Sequence, residues 1–206
     1  MTVQQTADHW WWRPGWAVGR RFYAWHITFP GPEGAQLRRF AAEYRAALKA
    51  LPGLDLIPDQ WLHLTMQGLG FTDEVEQHDV DAIVTAAHAR LAAVAPFTLT
   101  FDRAGVDPEA VLWEVDPAGP AAVRDAVRAA IGDVWATVPE PADGFVAHVS
   151  AAYSNTVAPA GPVYRALEQV HAVPATVPVG EAQLIVMNRD NRMYEWVTYA
   201  SVPLGG

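Results

Sequence analysis

The chain contains no cysteine and has fewer basic than acidic side chains. Among its 206 residues, 14 are Lys or Arg and 23 are Asp or Glu, which gives a formal net charge of −9. The lack of cysteine excludes disulfides, thiolate zinc sites and cysteine nucleophiles, and it fits the reducing cytoplasm in which we expect the protein. A surface for long nucleic acids would need basic residues. Any nucleotide-like ligand is therefore expected to be small or bound at one local site.

Long apolar segments are also lacking. The N-terminal extension, residues 1–19, includes the aromatic run 10-WWWRPGW-16 but is too short and too charged to span a bilayer. It has neither the apolar region nor the small-residue cleavage site of a signal peptide. We expect no membrane association. The extension either stacks on a nucleobase or packs against one lobe as an apolar cover.

Hydrophobic periodicity predicts that strands and helices alternate over the rest of the chain. Strands are predicted at 20–29, 61–71, 97–101, 111–115, 146–154, 175–188 and 193–202, and helices at 37–51, 80–94, 119–134 and 160–171. This alternation indicates an α/β or α+β architecture. Residues 20–106 and 110–202 both read strand, helix, strand, helix, strand. We therefore predict one domain, residues 1–206, made of two similar lobes with those bounds.

A histidine and a hydroxyl residue, two positions apart, occur in a predicted strand of each half. The first pair is His63 and Thr65 in 63-HLTM-66, and the second is His148 and Ser150 in 148-HVSA-151. Side chains alternate along a strand, so each pair shares one face. Gln67 should lie beside the first pair. If the lobes face each other, two imidazoles and two hydroxyls meet around one point.

Such a quartet is suited to chemistry on a phosphodiester. Histidine has an unperturbed pKa near ~6.5, so one ring can accept a proton while the other donates one. Hydroxyls at Thr65 and Ser150 would donate hydrogen bonds to the phosphate oxygens. This arrangement requires neither a metal nor a cofactor. No glycine-rich phosphate loop and no His-Glu-x-x-His motif occurs in the sequence.

The two motifs, together with 67-QGLGF-71, resemble the two-histidine phosphoesterase superfamily, which includes 2'-5' RNA ligases and cyclic nucleotide phosphodiesterases. The resemblance implies an α+β, bilobal, duplicated fold in which two antiparallel-rich sheets face a central cleft. It also implies metal-independent opening of 2',3'-cyclic phosphates of nucleotides or RNA ends, without a cofactor. By the same resemblance, His63 and His148 are the acid–base pair, and Thr65 and Ser150 bind the phosphate.

Other functions remain open at this stage. One alternative is a 2'-5' RNA ligase, or a phosphodiesterase of 2'-5' or cyclic oligonucleotides. An alternative of another class is a non-catalytic module that binds a nucleotide. The expected partner is a nucleotide or short RNA with a cyclic phosphate, and the protein is expected to be a monomer. Which histidine acts as the base is not decided by the sequence.

A few further side chains are candidates for contact with the substrate. They are the aromatic and basic residues of the first strand and the last turn: Tyr23, Trp25, His26, Arg189, Arg192 and Tyr194. Tyr23 and Trp25 either stack on a base or belong to the core, and His26 is interpreted as structural or as lining the site. The basic pair either holds a phosphate or lies in a solvated turn. Tyr153 is expected in the core, and His9, His78, His88 and His171 are assigned to no site.

Overall fold

Ten strands and four α-helices follow one another along residues 2–205, the part of the chain that the computed structural model describes. The strands are β1 (Phe22–Thr28), β2 (Leu54–Leu56), β3 (His63–Phe71), β4 (Phe97–Phe101), β5 (Gly105–Val106), β6 (Ala110–Glu114), β7 (His148–Ser154), β8 (Ala175–Val179), β9 (Glu181–Asn188) and β10 (Glu195–Pro203). The helices are α1 (Ala35–Leu48), α2 (Gln77–Leu91), α3 (Ala118–Gly132) and α4 (Gly161–Leu167). Met1 and Gly206, the ends of the predicted domain, lie outside the described residues.

Every predicted strand and helix is present, with two additions and one division. The short strands β2 and β5 were not predicted, because two or three residues cannot display a period. The predicted strand at 175–188 is two strands, β8 and β9, separated at Gly180. Among residues 2–205, none of the helices is both long and apolar enough to cross a lipid bilayer.

The strands form antiparallel sheets, and the fold is α+β. The first sheet has the order β10-β9-β1-β3, the second has the order β2-β7-β6-β5, and β4 pairs with β8. Helices α2 and α3 pack against each other; α2 also packs against β10, and α3 against β3. Helix α1 packs against β7, β8 and α4. The predicted class, with antiparallel-rich sheets, is confirmed.

The sheets do not follow the predicted lobes, 20–106 and 110–202. Strands β1 and β3 lie in one sheet with β9 and β10 from the end of the chain, and β2 joins β7 in the other. The reason is that the middle residues of β1 are buried, so both edges of this strand need a hydrogen-bonded neighbour. Strand β3 pairs with one edge of β1, and β9 pairs with the other.

A β-bulge follows the first motif. The pairing of β3 with β1 skips Met66, so Thr65 and Met66 together oppose one residue of β1. A bulge redirects the side chains that follow it. Gln67, which was expected beside His63 and Thr65, is therefore fully buried on the other side of the strand. There it accepts a hydrogen bond of 2.6 Å from Arg128.

A bulge at the same place follows the second motif. The pairing of β7 with β6 skips Ala151, which is the fourth residue of its motif, as Met66 is of the first. Tyr153 was expected in the core, facing away from His148. Tyr153 is buried in the core, as expected, but the bulge turns its ring to the same side as His148 and Ser150, and all three line one pocket.

Arg124 of α3 fixes the first bulge in place. Its side chain is only 7% exposed, and it donates hydrogen bonds to the backbone carbonyls of Met66 (3.0 Å), Ala142 (2.7 Å) and Pro141 (2.8 Å). A charged donor that bonds three backbone carbonyls connects the helix, the bulge and the loop after the helix. The position of the first motif thus depends on α3.

We predict that Arg124→Met lowers the free energy of unfolding by roughly 2–4 kcal/mol, because three carbonyls lose their donor while the side chain keeps its length. Urea denaturation measures the change. Arg39→Met, at an exposed position of α1, is the matched control and should change stability by less than about 0.5 kcal/mol. Equal stability of the two variants would contradict this role of Arg124.

Candidate active site

One pocket of about 600 Å³ brings the two motifs together. Its lining includes His63 and Thr65 from β3 and His148 and Ser150 from β7. The remaining lining comes from β1, β5, β6, β9, Tyr153 of β7, the N-terminal part of the chain and the segments just before β6, β7 and β10. Strands of both four-stranded sheets therefore contribute to the same pocket, and all four predicted motif residues lie in it.

The two motif histidines are held in the same way. In each ring, Nδ1–H donates a hydrogen bond of 2.8 Å to the backbone carbonyl two residues earlier, that of Trp61 for His63 and that of Val146 for His148. Because a carbonyl only accepts, the proton of the neutral ring is placed on Nδ1. Nε2 of each ring remains available to accept or donate a proton.

Burial sets the protonation state of His63. The side chain is 8% exposed, and burial is the main cause that lowers its pKa from 6.5 to about 4. The hydrogen bond to the Trp61 carbonyl opposes this shift, and the nearby His148 adds to it. His63 is consequently neutral near pH 7, the form in which Nε2 accepts a proton.

His26 of β1 lies directly against the first motif. Its ring stacks on that of His63, with 4.5 Å between the ring centroids and 4° between the planes. Its Nε2 is 3.3 Å from Oγ1 of Thr65. The side chain is 1% exposed, and burial, followed by the nearby His63, lowers the pKa of His26 well below its usual value. His26 therefore lines the pocket as a neutral ring, one of the two placements expected for it.

The N-terminal strap, residues 2–19, forms a third wall of the pocket. It is fastened to β7 by the bond from His9 N–H to the Ser154 carbonyl (2.8 Å). His9 contacts Glu109 Oε2 and the Tyr194 hydroxyl, each at 3.0 Å, and its ring stacks on Tyr153 at 4.2 Å. Arg13 also donates to Glu109 (2.7 Å) and to Tyr194 (2.9 Å). The strap thus joins the loop before β6 to the turn before β10.

The strap also contains four tryptophans, which take different positions. Trp10 is buried and donates from Nε1 to Asp55 (2.8 Å), while Trp16 lines the pocket beside Phe22. Trp11 and Trp12 are each about half exposed. The expectation of an apolar cover therefore describes Trp10, whereas Trp16 faces the site.

Four of the candidate contact residues lie outside the pocket lining. Tyr23, Trp25 and Arg192 take the other placement expected for them, in the core or in an exposed turn, and Arg189 takes neither of its two expected placements. Tyr23 and Trp25 point to the opposite face of β1 from His26, and Trp25 is fully buried in the core. Arg192 is exposed in the turn between β9 and β10. Arg189 is 5% exposed and donates to the His9 carbonyl (2.8 Å), so it anchors the strap.

Several lining residues were not found from the sequence. His9, assigned to no site, and Glu109 are in contact although 100 positions separate them. Burial and the nearby Arg13 are the leading causes that lower the pKa of His9 to about 3. Glu140, which has a positive φ of 61°, also lines the pocket, and its carboxylate accepts from Gly68 N–H (3.1 Å). No motif marks such contacts; the aromatic composition of the strap was the one available signal.

The fold and this paired site define a class of protein. A model of the family described as the 2'-5' RNA ligase superfamily matches residues 32–191. The match covers most of the chain, so the protein belongs to this superfamily, as the motifs predicted. Membership supports an enzyme of the phosphoesterase or ligase type. No curated protein sequence gives a significant match.

Solved structures show the same fold. TT0787 of Thermus thermophilus superposes with a TM-score of 0.67 at 18% identity, over 91% of this chain and 98% of that one. LigT of Escherichia coli, complexed with 3'-AMP, gives 0.65 at 19% identity, over 91% and 99%. A conserved protein of unknown function from Agrobacterium tumefaciens gives 0.56 at 13% identity, over 95% and 86%. At these identities the likeness concerns the fold.

We predict that acidification below pH 6.5 destabilises the protein through its buried histidines. The pKa of His63 is depressed in the folded state, so the unfolded chain binds the proton first and stability falls with pH between about 6.5 and 4. Between pH 7 and 5.5, His63 should account for roughly 1 kcal/mol of the loss.

Urea denaturation at the two pH values measures this contribution. His63→Gln, which cannot titrate, should lose about 1 kcal/mol less stability than the wild type over this interval. His78→Gln, on the exposed face of α2, is the control and should follow the wild type. A variant His63→Gln with the wild-type pH dependence would contradict the prediction.

Proposed function

We propose that the protein opens 2',3'-cyclic phosphates of nucleotides or RNA ends without a metal, using His63 and His148 as an acid–base pair. The proposal rests on one observation: the imidazole rings of His63 and His148 are oriented by matching hydrogen bonds. Each Nδ1 is bound to a carbonyl, each Nε2 is available, and a hydroxyl stands two residues further along the same strand. The 2'-5' RNA ligase superfamily, to which the chain belongs, is consistent with this chemistry.

In the proposed reaction, water attacks phosphorus and a ribose oxygen leaves. His63, neutral because its pKa is about 4, takes the proton from the water as the new P–O bond forms. His148 gives a proton to the ribose oxygen as the ring P–O bond breaks, and the product is a phosphate monoester. The hydroxyls of Thr65 and Ser150 donate to the non-bridging oxygens while charge builds there.

We predict that His63→Ala and His148→Ala each lower kcat at least ~10²-fold on nucleoside 2',3'-cyclic phosphates, because each removes one proton-transfer group. The four common cyclic nucleotides are assayed in the presence of a chelator, and the wild type should keep its activity there. His78→Ala, an exposed histidine of α2, is the matched control. Rates that survive in either motif variant, or that vanish with chelator alone, would refute the mechanism.

The charge of the pocket bears on the size of the substrate. Four carboxylates line it: Asp107, Glu109, Glu114 and Glu140. Among the described lining residues, Arg13 is the one guanidinium, and it is already paired with Glu109. Additional phosphates would be repelled by the unpaired carboxylates. We therefore favour a substrate with a single phosphodiester over an oligonucleotide or a polyphosphate.

We predict that a nucleoside 2',3'-cyclic phosphate has a kcat/KM about tenfold higher than the same compound with a 5'-phosphate, which corresponds to ~1.4 kcal/mol of repulsion. Because exposed charges are screened by salt, the ratio should shrink between 20 mM and 500 mM NaCl. Preference for the 5'-phosphorylated compound, or for a 2'-5' oligonucleotide, would favour the alternative function. Binding without turnover of any of these compounds would favour the non-catalytic module.

A further inference from the structure

The two motif strands differ in the residue that faces the hydroxyl. In the first sheet, His26 of β1 lies directly opposite Thr65, and in the second sheet Leu112 of β6 lies directly opposite Ser150. Both His26 and Leu112 line the pocket. Residues directly opposite on antiparallel strands interact through their side chains. The two halves of the site share the motif, the bulge and the histidine tautomer. They differ in the residue opposite the hydroxyl, which is His26 in one half and Leu112 in the other.

The hydrogen bonds of His26 indicate which ring nitrogen carries its proton. Its buried Nδ1 has no hydrogen-bond partner among the described residues, while Nε2 is 3.3 Å from Thr65 Oγ1. A neutral imidazole has one donor and one acceptor nitrogen. Because an unpaired buried N–H is rarer than an underused acceptor, the proton belongs on Nε2, which donates to Thr65. The Thr65 hydroxyl then keeps its own proton for another acceptor.

The surroundings of His26 keep its ring neutral. On β3 it faces Thr65 and the ring of His63, and on β9 its backbone partner is Gln183. The ring of Trp196 from β10 meets it edge-on at 5.8 Å. Of these four neighbours, His63 is the one that titrates, and it repels a second positive charge. The flat stack also keeps water from one face of His63.

We propose that His26 is a positioning residue with two effects on the first motif. It donates from Nε2 to Thr65 Oγ1, which turns the Thr65 proton towards the phosphate, and it covers His63, which keeps that ring in the form that accepts a proton. Leu112 provides no such donor to Ser150. His26 thereby makes the β3 half of the site the base side. This inference rests on the proposed function.

Two substitutions separate the two effects. His26→Phe keeps a flat ring on His63 but has no donor for Thr65, whereas His26→Ala removes both the donor and the cover. We expect His26→Phe to weaken binding of inorganic phosphate and to lower kcat, each about fivefold to tenfold. In a Thr65→Val background the same substitution should change either quantity less than twofold, because the hydroxyl through which it acts is gone.

The titration of His63 provides a readout that does not depend on turnover. The pKa of His63 is measured from the NMR shifts of its ring protons. In His26→Ala this pKa should rise from the wild-type value towards 6.5, and the acid limb of the kcat/KM pH profile should move to higher pH by the same amount. In His26→Phe both should remain near the wild-type position. Urea denaturation of all variants verifies that they are folded at the assay temperature.

The outcomes distinguish a failure of this inference from a failure of the proposed function. An equal effect of His26→Phe with and without the Thr65 hydroxyl would overturn the donor role, and an unchanged His63 titration in His26→Ala would overturn the covering role. If no cyclic nucleotide is hydrolysed, yet phosphate binding shows the coupling and His63 titrates as expected, the proposed function fails and the positioning role of His26 stands.

Discussion

The pairing register of two pairs of strands is the constraint on which the site depends. Strands β3 and β7 place a histidine and a hydroxyl on one face by simple alternation, and each strand then has a bulge at the fourth residue of its motif. The carbonyls of Trp61 and Val146, just before each strand, orient the rings through Nδ1. A slip of one residue in either pairing would turn a whole motif away from the pocket.

The strap adds to this paired framework a wall that belongs to neither sheet. Its backbone bonds hold it to β7, and Arg189 holds it to the turn before β10, where the guanidinium also lies over the rings of Trp10 and Trp16 at 5.3 and 5.6 Å. Burial lowers the pKa of this guanidinium, while the nearby Tyr194 and Glu109 favour its charged form. One side of the pocket is thus built from contacts that the duplicated strands do not contain.

Features set by local interactions could be predicted from the sequence, whereas features set by contacts between distant segments could not. The motifs and their faces were predictable, because alternation within a strand is local. The assignment of strands to sheets was not predictable, because β9 is far from β1 in the chain and nothing in either sequence indicates that the two strands pair. The direction of Tyr23 and Trp25 was equally open, because both faces of β1 are buried and no solvent-exposed side indicates which residues face the core. The bulges leave no signature in residue type, and the contacts of His9 and Arg189 join segments more than 90 positions apart.

The symmetry of the motifs and the asymmetry of their surroundings have different consequences. The proposed opening of a cyclic phosphate requires that one group take a proton while another gives one, so two equivalent histidines would have no preferred direction. The backbone provides the equivalence, through identical bulges and identical tautomers. The direction has to come from neighbours that differ, and the pocket has them: a buried neutral ring beside His63, and Glu114 directly opposite His148. In the proposed reaction, two strands with the same motif and the same bulge can therefore carry a directional proton transfer, because the residues that face the two motifs differ.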